Sequence, residues 1–229
     1  MLICNPFGQE TIRAHRSLRV ISERLGRQGI PSLRFDYFGT GDSPGDDGDG
    51  RMSRWRHDIH QADDMLRQLS GCPQTVWVGL RLGATLALQA AVEIRTLPGP
   101  RQVILWEPVL DGNAYLQHLS HMHEYWTRDA GITDEVLGFA MPLHLRQRIQ
   151  AIRPDTFSCP PCTSLGLIAS EGLPGREAFT AWARQHTQLQ EMPLRTMIEW
   201  TSNTALASQW VPDDAIASLL AMCHGHASA

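Results

Sequence analysis

The feature that most constrains this chain is a tight turn between a strand and a helix. Thr75-Val76-Trp77-Val78 has the β-branched and aromatic character of a strand, and Ala84-Thr85-Leu86-Ala87-Leu88-Gln89-Ala90-Ala91 that of a buried helix. Between them lies Gly79-Leu80-Arg81-Leu82-Gly83. The two glycines let the turn bend sharply and let the helix pack close to the strand. The central residue then projects from the tip. A serine or cysteine there can be deprotonated and attack a carbonyl. Arginine cannot, because its guanidinium stays protonated and offers no nucleophilic lone pair.

Strand and helix patterns alternate along the rest of the chain. Strands are predicted at Leu2-Ile3-Cys4, at Pro31 to Asp36, at Gln102 to Trp106, at Thr163 to Ala169 and, as the last, at Leu194 to Trp200. Helices are predicted from Arg13 to Gly29, with Leu18, Ile21 and Leu25 on one face, from Ser53 to Leu69 with Ser53 as N-cap, and from Ala215 to Met222. Gly39 to Gly50 is a glycine- and aspartate-rich loop, and the last residues, from His224, are expected to fray. Such alternation implies an α/β fold, a mostly parallel sheet with helices on both faces. Asn113 to Ile152 breaks the rhythm. It is helical in character and rich in His, Met and aromatic residues, which predicts a lid over the carboxyl ends of the strands.

The chain has 229 residues, 42% of them hydrophobic, enough for one domain with a substantial core. Its net charge of −4 argues against a nucleic-acid partner, which needs a basic patch. No apolar run reaches the roughly 20 residues that span a bilayer. The first residues lack the basic and apolar regions of a secretory signal. Five cysteines at scattered positions suggest reduced thiols rather than a disulfide framework. A cytoplasmic, bacterial-type protein is the expectation.

Two loops flank the turn in sequence logic. Asn5-Pro6-Phe7-Gly8-Gln9-Glu10 follows the first strand, and Asp36-Tyr37-Phe38-Gly39-Thr40-Gly41-Asp42-Ser43 follows the second. Together with the Gly79 to Ala87 turn, with Leu105-Trp106-Glu107-Pro108-Val109, Gly112 and Tyr115-Leu116, and with Val136-Leu137-Gly138-Phe139, they resemble the α/β-hydrolase superfamily. Within it, the chain resembles the exosortase A system-associated hydrolases of the second type, found near bacterial exopolysaccharide genes. The resemblance covers most of the chain and is specific in its first half. It implies that arginine at the nucleophile elbow is usual in that group. It also implies a single domain over residues 1–229, shortened at its N-terminus relative to the superfamily, with the lid inserted at about 113–152. The exposed sheet edge this would leave suggests a possible homodimer.

The resemblance assigns roles to test. The oxyanion-hole donors would be the N–H of Leu82 and that of Phe7 or Gly8. The triad acid would fall at Glu171, though a surface-loop glutamate is the plainer reading. The base histidine would lie between Trp200 and Pro212, where the sequence has none. Nucleophile and base are therefore both missing. Arg81, at a helix N-terminus, would suit a carboxylate or phosphate. Alternatively it pairs internally with Glu10, Asp42 or Glu107, since an unpaired buried arginine is costly.

His118-x-x-His121-x-His123-Glu124 has loose metal-ligand spacing, but a polar lid face accounts for it better, and no metal or cofactor is implied. Cys159-Pro160-Pro161-Cys162 reads as a rigid connector rather than a redox motif. Function is left between two classes. One is a protein that binds a small acyl, carboxylate or glycan-type ligand, or a partner, in the elbow pocket. The other is an enzyme of non-serine chemistry (lyase, epimerase or cyclase) using Arg81 and the oxyanion-hole amides. Ester or amide hydrolysis by a serine triad ranks third.

Overall fold

The computed structural model describes residues 1–94, 99–128, 134–162, 164–194, 200 and 212–224. Six strands form one parallel sheet: β1 (Leu2–Cys4), β2 (Leu33–Arg34), β3 (Val76–Leu80), β4 (Gln102–Trp106), β7 (Ser164–Ala169) and β8 (Gln188–Pro193), in the order β2-β1-β3-β4-β7-β8. Every pairing in this sheet is parallel. The register sets Leu80 beside Trp106, so Arg81 and Glu107 leave neighbouring strands at the same end.

Side chains alternate between two buried faces, as a sheet covered on both sides requires. Leu2, Cys4, Trp77, Val103, Leu105, Leu165 and Leu167 share a core with α2 (Met52–Ser70), α3 (Leu82–Glu93) and α6 (Arg176–His186). Ile3, Val78, Leu80, Ile104, Trp106 and Ile168 pack with α1 (Gln9–Arg27) and α7 (Asp213–His224). The central helix α3 is buried along nearly its whole length, which its alanine- and leucine-rich sequence permits.

The segment expected as a helical lid is α4 (Gly112–Thr127), a two-stranded antiparallel hairpin of β5 (Glu135–Val136) and β6 (Phe139–Ala140), and α5 (Leu143–Gln150). The hairpin is the departure from expectation. It is fixed by side chains outside it: the buried His123 accepts the Leu137 N–H through Nδ1 at 3.0 Å, and Ala140 donates its N–H to Asp47. The last described strand of the sheet is Gln188–Pro193, a segment not predicted as a strand, while the predicted strand at Leu194 to Trp200 falls, at 195–199, outside the described residues. The loop searched for a base histidine, 201–211, and the predicted fraying tail at 225–229 likewise lie outside them. All five cysteines are free, and no described helix is long and apolar enough to cross a membrane.

Candidate functional site at the elbow

The turn after β3 has the sharp geometry its glycines suggested. A Cβ on Gly79 would lie 2.4 Å from Ala84 Cα, and one on Gly83 would lie 2.1 Å from the Asn5 carbonyl oxygen. Neither position tolerates a side chain. Arg81 between them sits at φ 54°, ψ −123°. A non-glycine residue held there costs about 1–3 kcal/mol and persists only where the surroundings enforce it. They do so here. Arg81 N–H donates to the Trp106 carbonyl at 3.0 Å, and the Arg81 carbonyl accepts from Ala84 N–H at 3.1 Å. Glu107, next to it on β4, is also at positive φ, 46°, and its N–H donates to Ile168 O at 2.8 Å.

The Arg81 side chain is committed to the protein. Nε donates to Glu10 Oε1 at 2.9 Å, and Nη1 to the Glu107 carbonyl oxygen at 3.3 Å. The second oxygen of Glu10 accepts the Tyr115 hydroxyl at 2.8 Å, and the guanidinium lies 5.4 Å from the Tyr115 ring centre. The Arg81 side chain is 14% exposed and that of Glu10 1%. Burial alone would pull the guanidinium down. The Glu10 carboxylate, with Tyr115 beside it, outweighs that and holds Arg81 above its ordinary value. Burial and then the Glu10 charge push the Tyr115 phenol well above its own, so it remains a donor.

Of the three acids considered for Arg81, only Glu10 offers its carboxylate. Asp42 is exposed in the loop after β2, where its N–H donates to Asp36 at 3.2 Å. Glu107 offers Arg81 its main-chain oxygen instead, because its carboxylate accepts the buried N–H of Ser170.

A cavity of about 240 Å³ opens on this cluster, lined by Glu10, Arg81, Glu107, Tyr115, His118, Ser170 and Trp200 among others. Phe7, Gly8 and Leu82, the expected oxyanion donors, are all buried and do not line it. Phe7 packs its ring 5.7 Å from Trp55, and Phe139 of β6 lies over Gly8, 3.4 Å from where a Cβ would stand. Glu171 stands exposed after β7 and does not line the cavity either. The three histidines of α4 have different surroundings. His118 lines the cavity, His121 is exposed, and His123 is buried. Among the described residues no group of three or more His, Cys, Asp or Glu is placed to hold a metal ion. Cys159 is exposed and Cys162 half-buried, in the connector that leads to β7.

Tyr115, quoted only for the resemblance, and His118, weighed only as a loose metal ligand or polar lid residue, are cavity residues to which sequence reasoning gave no part at the elbow. Their three-residue spacing on α4 puts them on one helix face, and that spacing was the only available signal.

No family model matches the chain, and no curated protein matches it. Solved structures do. The ferulic acid complex of Est1E from Butyrivibrio proteoclasticus is 16% identical, with a TM-score of 0.61 over 96% of this chain and 87% of that one. The metagenome-derived lipolytic enzymes LipS and LipT give 18% identity and a TM-score of 0.62 over 98% and 93%. Mouse alpha/beta hydrolase domain-containing protein 10 gives 13% identity and a TM-score of 0.60 over 98% and 89%. At such identities the likeness establishes the fold, which is that of the α/β-hydrolases.

Proposed function

We propose that this α/β-hydrolase-fold protein does not work through a serine triad, and that it binds a small acyl, carboxylate or glycan-type ligand in the elbow cavity, within a bacterial biosynthetic pathway. The observation that carries the reading is the arginine at the strained elbow, held by Glu10 and Tyr115 where a nucleophile would stand. The sequence supports it further: after the last described strand, which ends at Pro193, the whole stretch from Leu194 to Pro212 contains no histidine. The similarity of residues 5–45 and of the elbow to exosortase A system-associated hydrolases supports the pathway assignment.

The cavity suits a small ligand. Arg81 Nη2 has no acceptor among the described residues and can donate to a ligand carboxylate or carbonyl in the cavity that Ser170 and His118 also line. Because Glu10 already neutralises Arg81, such a ligand meets a hydrogen-bond donor more than a free charge. The alternative of Arg81-assisted lyase, epimerase or cyclase chemistry needs an oxyanion hole in the same cavity, and the Phe7, Gly8 and Leu82 residues do not line it.

The test is a thermal-shift screen of short carboxylates, acyl amides and sugar acids against the wild type and Ala114→Trp, a substitution that fills the cavity from α4. Ligands that raise the wild-type melting temperature and leave the variant unmoved support the reading. Shifts that are equal in both proteins for every ligand refute it.

A further inference from the structure

A second cavity lies away from the elbow, along the far half of α3. It measures about 730 Å³ and is walled by the start of α2, by residues 88–93 of α3, by α5 and by the chain as far as Ser158. That volume is within the range of small-molecule sites. Its floor is apolar: Leu88, Leu145, Ile152 and Phe157 line it and are buried. Its rim is cationic: Arg51, Arg56 and Arg148 stand against a single carboxylate, Glu93. That carboxylate is already engaged by Arg56 at 2.7 Å. Arg51 and Arg148 are exposed and have no acidic partner among the described residues.

One further observation bears on the same space. The start of α2 has neither a side-chain cap nor an acidic residue in its first turn, and Met52 and Ser53 from that turn line the cavity. The positive end of the helix is thus uncompensated there.

We propose that this groove is a second ligand site, specific for an amphipathic anion. The ligand's apolar chain lies on Leu88, Leu145 and Phe157, and its phosphate or carboxylate head sits between Arg51 and Arg148. Unpaired guanidinium groups select a planar or tetrahedral anion and reject a cation. The apolar floor distinguishes such a ligand from a free inorganic anion. The proposal does not depend on the reading of the elbow.

The experiment is isothermal titration calorimetry with n-octyl phosphate and octanoate, set beside inorganic phosphate and n-octanol. The expected result is that one or both amphipathic anions bind, with inorganic phosphate and octanol at least about tenfold weaker. Arg51→Ala and Arg148→Ala each weaken binding by roughly tenfold or more, while their melting temperatures stay at the wild-type value. Octyl phosphate binding without octanoate binding identifies a phosphate head, and the reverse a carboxylate. Ala114→Trp, which fills the elbow cavity, leaves the affinity unchanged. The proposal is overturned if neither anion binds at millimolar concentration, if octanol or inorganic phosphate binds as well, if the arginine variants bind normally, or if Ala114→Trp abolishes binding.

Discussion

The elbow and the α2–α3–α5 groove hold the same kind of side chain in opposite circumstances. At the elbow, Arg81 is buried and bonded to a buried carboxylate. In the groove, Arg51 and Arg148 stand in water at the edge of an apolar floor. A buried ion pair has given up its hydration and directs most of its field at its own partner. An exposed guanidinium beside a greasy wall keeps its charge available. In this molecule, therefore, the guanidinium at the β3–α3 turn is paired inside the protein, and the exposed, unpaired guanidinium groups line the groove.

The largest expected effect breaks the elbow side of that contrast. Glu10→Ala leaves Arg81 buried without its counter-charge and should destabilise the protein by about 3–5 kcal/mol in urea unfolding. Replacing both partners, Arg81→Met with Glu10→Leu, should recover most of that loss, because an apolar pair has no charge to desolvate. A Glu10→Ala cost near zero would mean that Arg81 is not locked. Tyr115→Phe removes one hydrogen bond to the Glu10 carboxylate and should cost about 1.5–3 kcal/mol by the same measurement.

Alkaline pH separates the elbow from the rest of the core. Burial raises the Cys162 and Cys223 thiols from 9.0 to about 11. The unfolded chain therefore loses these protons first. The contribution of these two thiols is full below pH 9 and falls as the pH rises from there toward 11. The elbow joins only above pH 10.0, where Tyr115 ionises in the unfolded chain and its buried phenol does not. Melting temperatures measured from pH 8 upward should show a shallower decline from pH 9 in Cys162→Ser/Cys223→Ser. In Tyr115→Phe the decline should become shallower only above pH 10. The smallest effects belong to the groove: Arg51→Ala and Arg148→Ala should change stability by no more than about 0.5 kcal/mol, since neither side chain is bonded to an acid.

What the sequence disclosed follows the range of the interactions involved. The elbow was legible because Gly79 and Gly83 are required by close approaches within a few residues or to one neighbouring loop. The strands β1, β3, β4 and β7 were legible because buried parallel strands are continuous apolar runs. β8 was not. Gln188-Leu189-Gln190-Glu191-Met192-Pro193 is partly exposed and half polar, and its ladder with β7 makes it a strand. Glu10 could be shortlisted but not chosen, because it meets Arg81 across 71 residues of chain, and Asp42 and Glu107 were equally plausible by type. The β5–β6 hairpin has strands of two residues, too short for a period to show. The groove left no trace at all, since Arg51 and Arg148 are far apart in the chain and line one cavity only once it is folded.

The most direct test of the locked elbow is the hydrolysis of p-nitrophenyl acetate and butyrate by the purified wild-type protein, beside the Arg81→Met/Glu10→Leu variant, with release of p-nitrophenol followed at neutral pH. The account predicts release indistinguishable from buffer for both proteins. Steady, saturable turnover by the wild type that disappears in the variant would contradict it and make Arg81 part of a working catalytic site.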